Sequence, residues 1–411
     1  MKVSVFNLGC KVNQYECDVI SEKLSFDGHT IVQNLERADA YILNTCAVTA
    51  EAERKSRQAV SRCRALNPDA KVFILGCASQ NNPDSFKKDG VIYVSGTADK
   101  FAVTERLEDD EFNINSTNLP VTYENGGITA PHRTRTFVKI QDGCNNFCSY
   151  CIIPYLRGRS RSRKIEDVVS EINILAPKTK EIVLTGVDIM AYGKDCGTTL
   201  SELLKALSNV DVRIRLGSIY AEKITEELLD AAFGLKKFCP HFHLSLQSGD
   251  DKVLKDMNRH YAAGEYLEKI DLIRKYDHLS AITTDVIVGF PTETDEAFEN
   301  TKKFVKEAAF SDLHIFPFSA RSGTRAALYP VLSAEKVKAR KKSLSDEKKI
   351  LHNDFLKANL GKTHEVVIEE EKDGFGVGYS RNYIRIYTTG NEGEIVYATP
   401  STIYKDGLKE V

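Results

Sequence analysis

The sequence predicts an α/β multidomain protein: a small parallel α/β domain at the N-terminus, a partial (β/α)6 barrel in the centre and a small β-barrel at the C-terminus. Three observations carry this. Residues 1–95 alternate short apolar strands with helical patterns, which implies a parallel sheet. Six further strand–helix units run from Thr134 to about Leu328. The last fifty residues change to short alternating strands with glycine turns, a small-barrel pattern. The expected boundaries are residues 1–100, a linker over 101–130, residues 131–360 including a trailing basic helix, and residues 361–411.

In chain order, Val3–Phe6, Tyr41–Asn44 and Val72–Leu75 read as the first strands. Helices are expected over Asn13–Leu24 and Glu51–Leu66. Cys10, Cys46 and Cys77 each fall just past the carboxyl end of one of these strands. In an open parallel sheet those ends form the ligand edge, so three thiols distant in sequence can converge. Cysteine is also a small buried hydrophobe, and Cys17 and Cys63, on the helices, fit that reading. Residues 98–130 are acidic and then polar, with Gly126-Gly127, and read as a linker.

The central strands are expected at Phe137–Ile140, Glu181–Leu184, Arg213–Leu216, His241–Leu246, Thr284–Val288 and His314–Phe318. Helices lie between them, as at Ile165–Leu175, Thr225–Phe233, Tyr266–Arg274 and Glu296–Ala308. Barrels of this kind carry their chemistry on the loops after the strands. Small or polar residues stand at those places, among them Asp188, Gly217, Ser245 and Gln247. Ser333–Leu360 reads as a lysine-rich helix stopped by Gly361. In Arg381–Tyr387 an alternating strand would put Arg381, Tyr383, Arg385 and Tyr387 on one face, a pattern suited to phosphate pairing and base stacking. Residues 361–411 hold six Lys/Arg against nine Asp/Glu, which favours a solvated strand instead.

Cys144, Cys148 and Cys151 carry the most specific chemistry. Their C-x3-C-x2-C spacing follows the first central strand, with no His or fourth Cys in the next thirty residues. Three thiolates on one loop suit an iron–sulfur cluster with one iron left open. A zinc knuckle would show a second ligand pair, and unrelated thiols rarely cluster in a chain that is not secreted. From Pro131 to Lys164 there are eight Lys/Arg against one Asp, a local charge of +7 in a chain whose net charge is −2. That ladder, including Arg157, Arg159, Arg161 and Arg163, would steer a phosphate-bearing substrate to the site.

The chain has 411 residues, enough for two or three cores. The N-terminus enters a strand pattern without an apolar leader, and no eighteen-residue apolar stretch exists. Ten cysteines suit a reducing compartment, and a cytoplasmic location with no membrane attachment is expected.

These motifs together resemble the radical S-adenosylmethionine methylthiotransferases over nearly the whole length. The resemblance rests on the three scattered N-terminal cysteines and Cys-Ser-Tyr-Cys-Ile-Ile-Pro-Tyr155. It extends to Arg-Gly-Arg-Ser-Arg-Ser-Arg163, Leu-Ser-Leu-Gln-Ser-Gly249, Met-Asn-Arg-His-Tyr261, Asp-Val-Ile-Val-Gly-Phe-Pro291 and Phe-Ser-Ala-Arg-Ser-Gly-Thr324. The tail resembles the RNA-binding TRAM domain. The opening Leu8-Gly-Cys-Lys-Val-Asn-Gln-Tyr-Glu16 is similar to the branch acting on N6-threonylcarbamoyladenosine in tRNA.

The resemblance implies two 4Fe–4S clusters, on Cys144/Cys148/Cys151 and on Cys10/Cys46/Cys77. It implies S-adenosylmethionine as cofactor and methyl source, with contacts from Tyr150, Asp188, Ser245 and Gln247. One electron would cleave the sulfonium, and the resulting radical would take hydrogen from C2 of the adenine. Implied partners are the tRNA anticodon stem-loop, held by Arg157, Arg159, Arg161, Arg163, Arg381, Tyr383 and Arg385, and a flavodoxin or ferredoxin as reductant, with the enzyme a monomer. The alternatives are an isopentenyladenosine or ribosomal-protein aspartate substrate, or a non-catalytic iron–sulfur RNA-binding protein.

Overall fold

The computed structural model describes residues 1–115, 118–131 and 133–410; Ser116 and Thr117 of the expected linker, His132 and Val411 lie outside the described residues. The N-terminal sheet is fully parallel, in the order Thr30–Val32, Lys2–Asn7, Ala40–Thr45, Lys71–Gly76, Val91–Val94 and Asn113–Ile114. Ala40–Thr45 is buried on both faces, so it reads as a continuous apolar run. The outer strands Thr30–Val32 and Asn113–Ile114 are too short for periodicity to stand out in the sequence, and Val91–Val94 is a four-residue apolar run. Helices Lys11–Phe26 and Ala50–Leu66 flank the sheet.

Parts of the segment expected as a linker are packed. Lys100, Phe101 and Val103 of a 3-10 turn are buried, and Asn113–Ile114 forms the sheet edge. The Tyr15 hydroxyl donates to the Gly126 carbonyl, and Glu22 accepts from the Thr129 amide. These partners come from the helix Lys11–Phe26, far back in the chain, so local composition did not reveal them.

The central strands form two parallel arcs. Arg135–Lys139, Glu181–Thr185 and Arg213–Leu216 make one. Ser218–Ile219, His241–Gln247, Ala281–Val288 and Asp312–Pro317 make the other. The arcs meet at Gly217, so six strand positions follow in chain order and form an incomplete barrel. Its first and last strands are both edges, and the barrel is open at the side between them. Helices Ile165–Leu175, Glu226–Phe233, Ala263–Tyr276 and Asp295–Ala308 cover the outside. Apolar strand and helix faces pack into one core that also includes Val3, Tyr15 and Ile20 of the N-terminal domain.

Helix Ala334–Ala358 leads to a six-stranded sheet in the order Ile395–Ala398, His364–Lys372, Phe375–Ser380, Arg385–Thr388, Gly407–Lys409 and Thr402–Tyr404. The expected strand over Arg381–Tyr387 begins only at Arg385. Residues 381–383 form a turn in which the Tyr383 amide donates to the Ser380 carbonyl and Tyr383 takes φ +66°. The alternation is therefore broken, and Tyr387 is buried while Tyr383 is exposed. No helix among the described residues is long and apolar enough to cross a membrane.

Candidate functional site

Two sets of three free cysteines lie past the carboxyl ends of strands, one in the N-terminal sheet and one in the first barrel arc. Cys10 caps helix Lys11–Phe26, Cys46 follows Ala40–Thr45, and Cys77 opens the short helix Cys77–Asn81. Gly76 sets the direction of Cys77. Its φ of +108° and its packing, with a Cβ meeting the Thr45 carbonyl oxygen at 2.6 Å, admit only glycine. Burial pushes the Cys46 thiol up to about 12, and nearby Cys77 and Cys10 add to the rise.

Beneath them lies a buried ionic knot that the sequence did not disclose. Arg157 donates through Nε to Cys77 Sγ at 3.3 Å and through Nη2 to Asn13 Oδ1 at 3.0 Å. Its Nη1 meets Glu16 Oε1 at 3.1 Å and Asp142 Oδ1 at 3.0 Å. Lys100 pairs with Glu16, and Lys139 reaches Glu16 at 3.3 Å and Asp142 at 3.2 Å. Burial pushes the Glu16 carboxyl up, but Arg157, Lys100 and Lys139 outweigh it and hold the group well below the carboxylate range. Four cations, counting Arg161 at 3.7 Å from Asp142, face two carboxylates, an excess of positive charge against the cysteine sulfurs. Lys100 shows the imbalance: burial and then Arg157 lower its pKa.

Cys144, Cys148 and Cys151 lie on the loop after Arg135–Lys139. Gly143, at φ +72°, starts this loop where a Cβ would stand 2.0 Å from the Arg159 carbonyl oxygen. Burial pushes Cys144 up to about 11 and Cys151 up to about 12. Arg259 Nη1 donates to Cys148 Sγ at 3.6 Å, and its guanidinium lies 4.4 Å from the Tyr220 ring centroid. Arg259 belongs to the Met257–Tyr261 block, but nothing in that block's spacing assigned it to a sulfur.

Asp188, on the next loop, accepts from Asn146 Nδ2 at 3.0 Å and Lys223 Nζ at 3.2 Å, while its buried Oδ1 has no partner. Tyr150 is half-buried beside this site. The Ser245 carbonyl accepts from Arg259 and Tyr261, and Gln247 takes φ +70° at an irregularity in its strand.

Both sets suit thiolate-ligated iron–sulfur groups. The cation excess at Cys77 and the Arg259 donor at Cys148 would each stabilise an anionic cluster, and the unpartnered Asp188 oxygen leaves an acceptor free for a bound cofactor. Among the described residues no three or more His, Cys, Asp or Glu side chains gather as ligands of a single metal ion. The ligands of a 4Fe–4S cube instead each take a separate iron.

The arginine ladder is corrected by the structure. Arg157, Arg161 and Arg163 are buried: Arg157 in the knot, Arg161 on the Arg157 and Arg159 carbonyls, Arg163 on Glu171. Arg157 through Asn13, Glu16 and Cys77, and Arg163 through Tyr15, tie the central domain to the N-terminal one, whereas the partners of Arg161 lie within the central domain; none of the three is available to phosphates. Arg159 alone of the four is exposed, stacked 4.6 Å from the Phe147 ring centroid. Arg381 donates to the Phe238 carbonyl, and Arg385 pairs with Glu370 and Asp406.

A cleft of about 950 Å³ opens at the side of the barrel, lined by both edge strands, helix Ala334–Ala358 and the C-terminal sheet. Its aromatic wall is a stack of His241, Tyr383 and Tyr379, with centroids 4.6 and 4.9 Å apart. Arg135 lies 4.8 Å from Tyr379 and Arg215 lies 4.7 Å from Tyr383. Burial first, then Arg215, His243 and Lys11, lower the His241 pKa and keep the ring neutral. Burial, with repulsion from Arg215 and Arg135, also lowers Lys11.

Comparison with known proteins follows this architecture. Residues 138–305 match the radical SAM superfamily and residues 2–95 match the uncharacterized protein family UPF0004. The chain is 36% identical to the threonylcarbamoyladenosine tRNA methylthiotransferase MtaB of Thermotoga maritima, covering 99% of this chain and 96% of that one. It is 37% identical to the MtaB of Aquifex aeolicus, covering 95% and 97%. A tRNA-2-methylthio-N(6)-dimethylallyladenosine synthase of Thermodesulfovibrio yellowstonii is 34% identical, covering 99% and 97%. In fold, the chain is similar to the radical S-adenosylmethionine methyltransferase TsrM of Kitasatospora setae, with a TM-score of 0.55, 15% identity, and coverage of 77% and 74%. With relatives above 30% identity over nearly its full length, the chain belongs to the radical S-adenosylmethionine methylthiotransferase family.

Proposed function

We propose that this enzyme adds a methylthio group to C2 of N6-threonylcarbamoyladenosine beside the tRNA anticodon, using two 4Fe–4S clusters and S-adenosylmethionine. The observation that carries the two-cluster reading is the pair of free thiol sets at two strand-end edges, joined by Arg157. This residue leaves the Cys144–Cys151 loop region and donates to Cys77 Sγ. When bound, a cluster on Cys144, Cys148 and Cys151 supplies the electron for reductive cleavage of S-adenosylmethionine, a one-electron route to breaking an aromatic C–H bond. A flavodoxin or ferredoxin is the proposed reductant.

The protein's own groups orient and shield. Arg259 donates to Cys148, and Asp188, with one oxygen free, is the proposed partner of the cofactor's amino group. Tyr150, Ser245 and Gln247 are proposed to complete that pocket. Tyr383 and Tyr379 offer an aromatic face in the side cleft, and Arg159 with Phe147 offers a second exposed surface for RNA. Glu16, Asp142 and Asn13 hold Arg157 in place without reaching solvent.

The named relatives include both threonylcarbamoyladenosine and dimethylallyladenosine enzymes. The opening Leu8–Glu16 and the polar, cationic cleft support the former. Mass spectrometry of tRNA nucleosides from cells lacking this gene tests the reading. Loss of 2-methylthio-N6-threonylcarbamoyladenosine, restored with the gene, is the expected result. Loss of the isopentenyl analogue instead would reassign the substrate.

A further inference from the structure

The side cleft contains one cation that the protein leaves without an anion. Of the cleft-lining Lys and Arg residues, Arg133 pairs with Asp18, Arg135 with Glu369 and Arg215 with Glu181. Lys348 pairs with Asp312, Lys349 with Asp346 and Arg385 with Glu370. Among the described residues Lys11 has no ion pair and no side-chain hydrogen bond, although it is solvent-accessible and lines the same space. A second polar group there is also unmatched. His241 is buried, its Nε2 lies 3.1 Å from Thr283 Oγ1, and its Nδ1 has no partner.

Position narrows what the missing anion is. Lys11 directly follows Cys10, so it stands at the junction between the N-terminal cysteine set and the barrel interior. A tRNA phosphate would meet an exposed cation outside the cleft, such as Arg159. Lys11 instead lines a cleft together with Tyr383, Arg215 and His241. In a purine C2 and C6 both flank N1, so with C2 towards the cysteines the N6 substituent extends along the adjoining edge of the ring, near the residue that follows Cys10. The threonylcarbamoyl group ends in a carboxylate and a hydroxyl, whereas an isopentenyl group offers neither.

We propose that Lys11 is a specificity-determining residue that binds the carboxylate of the N6-threonylcarbamoyl substituent, with His241 Nδ1 available to the adjoining hydroxyl. This rests on the proposed substrate and adds the contact that distinguishes it from an apolar analogue. An enzyme built to pair a substrate's polar group rejects the analogue lacking it, because its own group is then left unmatched.

The test is a binding titration of the cluster-loaded enzyme with labelled anticodon stem-loops bearing N6-threonylcarbamoyladenosine, its carboxylate methyl ester, or isopentenyladenosine. The wild-type protein should bind the acid about tenfold to a hundredfold tighter than the ester, the range for a charge-assisted hydrogen bond. Lys11→Met should abolish that preference while leaving ester binding unchanged, and Lys11→Arg should keep part of it. Equal weakening of acid and ester by Lys11→Met would make Lys11 a phosphate contact and overturn the proposal. So would wild-type protein that does not distinguish acid from ester, a comparison that needs no variant. Tighter wild-type binding of the isopentenyl stem-loop would instead overturn the substrate reading itself.

Discussion

Arg157 shows how a single residue changes meaning between sequence and fold. In a basic run next to a cysteine loop it reads as a phosphate ligand. In the structure it is almost completely buried, donating to a sulfur and to two carboxylates. Breaking such a pair from one side leaves an uncompensated buried charge. Glu16→Gln should therefore destabilise the protein by about 3–5 kcal/mol, read as a lower midpoint in chemical denaturation. Glu16 and Asp142 both have folded pKa values below their ordinary ones. Their stabilisation is fully present above about pH 5 and is lost as pH falls towards the folded values. Stability measured against pH should show this acid limb in the wild type and a shallower one in Glu16→Gln. The cysteines were legible because their spacing is itself the signal. Glu16, Lys100, Lys139 and Asp142 were not, because their partners lie tens of residues away and only folding brings them together.

At the level of elements, the strands and helices of the barrel were legible because buried parallel strands form apolar runs and their covering helices are amphipathic. Ile165–Leu175 spans the residues its spacing predicts. The failures share a cause in tertiary contact. Gly126 and Thr129 of the expected linker are held by Tyr15 and Glu22, and the Asn382-Tyr383 turn is held by Ser380, whose hydroxyl accepts from the Ile384 amide. Turn chemistry within an alternating pattern reads as strand until such a bond is seen. The glycines before the cysteines are element-level devices: Gly76 lets one strand turn directly into a helix that begins with Cys77. Gly76→Ala should cost about 1–3 kcal/mol from backbone strain and should displace Cys77. Thermal unfolding and iron content measured together should both fall. A normal iron content in a destabilised protein would separate the strain from the cysteine geometry.

On the scale of the whole molecule, three regions that fold around separate sheets meet at one place. The N-terminal helix Lys11–Phe26 packs on the first barrel strand, and the ionic knot ties the domains through Glu16, Lys139 and Arg157. The C-terminal sheet closes one side of the lateral cleft through Tyr379 and Tyr383. This arrangement lets a large substrate approach from the open edge of the barrel, with both sets of cysteines at the strand ends. The central claim is that each set holds its own cluster. Iron analysis with electron paramagnetic resonance of the anaerobically reconstituted protein tests it most directly. The account predicts about eight irons per chain in the wild type, from two four-iron clusters. It predicts about four both in Cys10→Ala/Cys46→Ala/Cys77→Ala and in Cys144→Ala/Cys148→Ala/Cys151→Ala, with different spectra. Four irons in the wild type, unchanged on removing Cys10, Cys46 and Cys77, would contradict it.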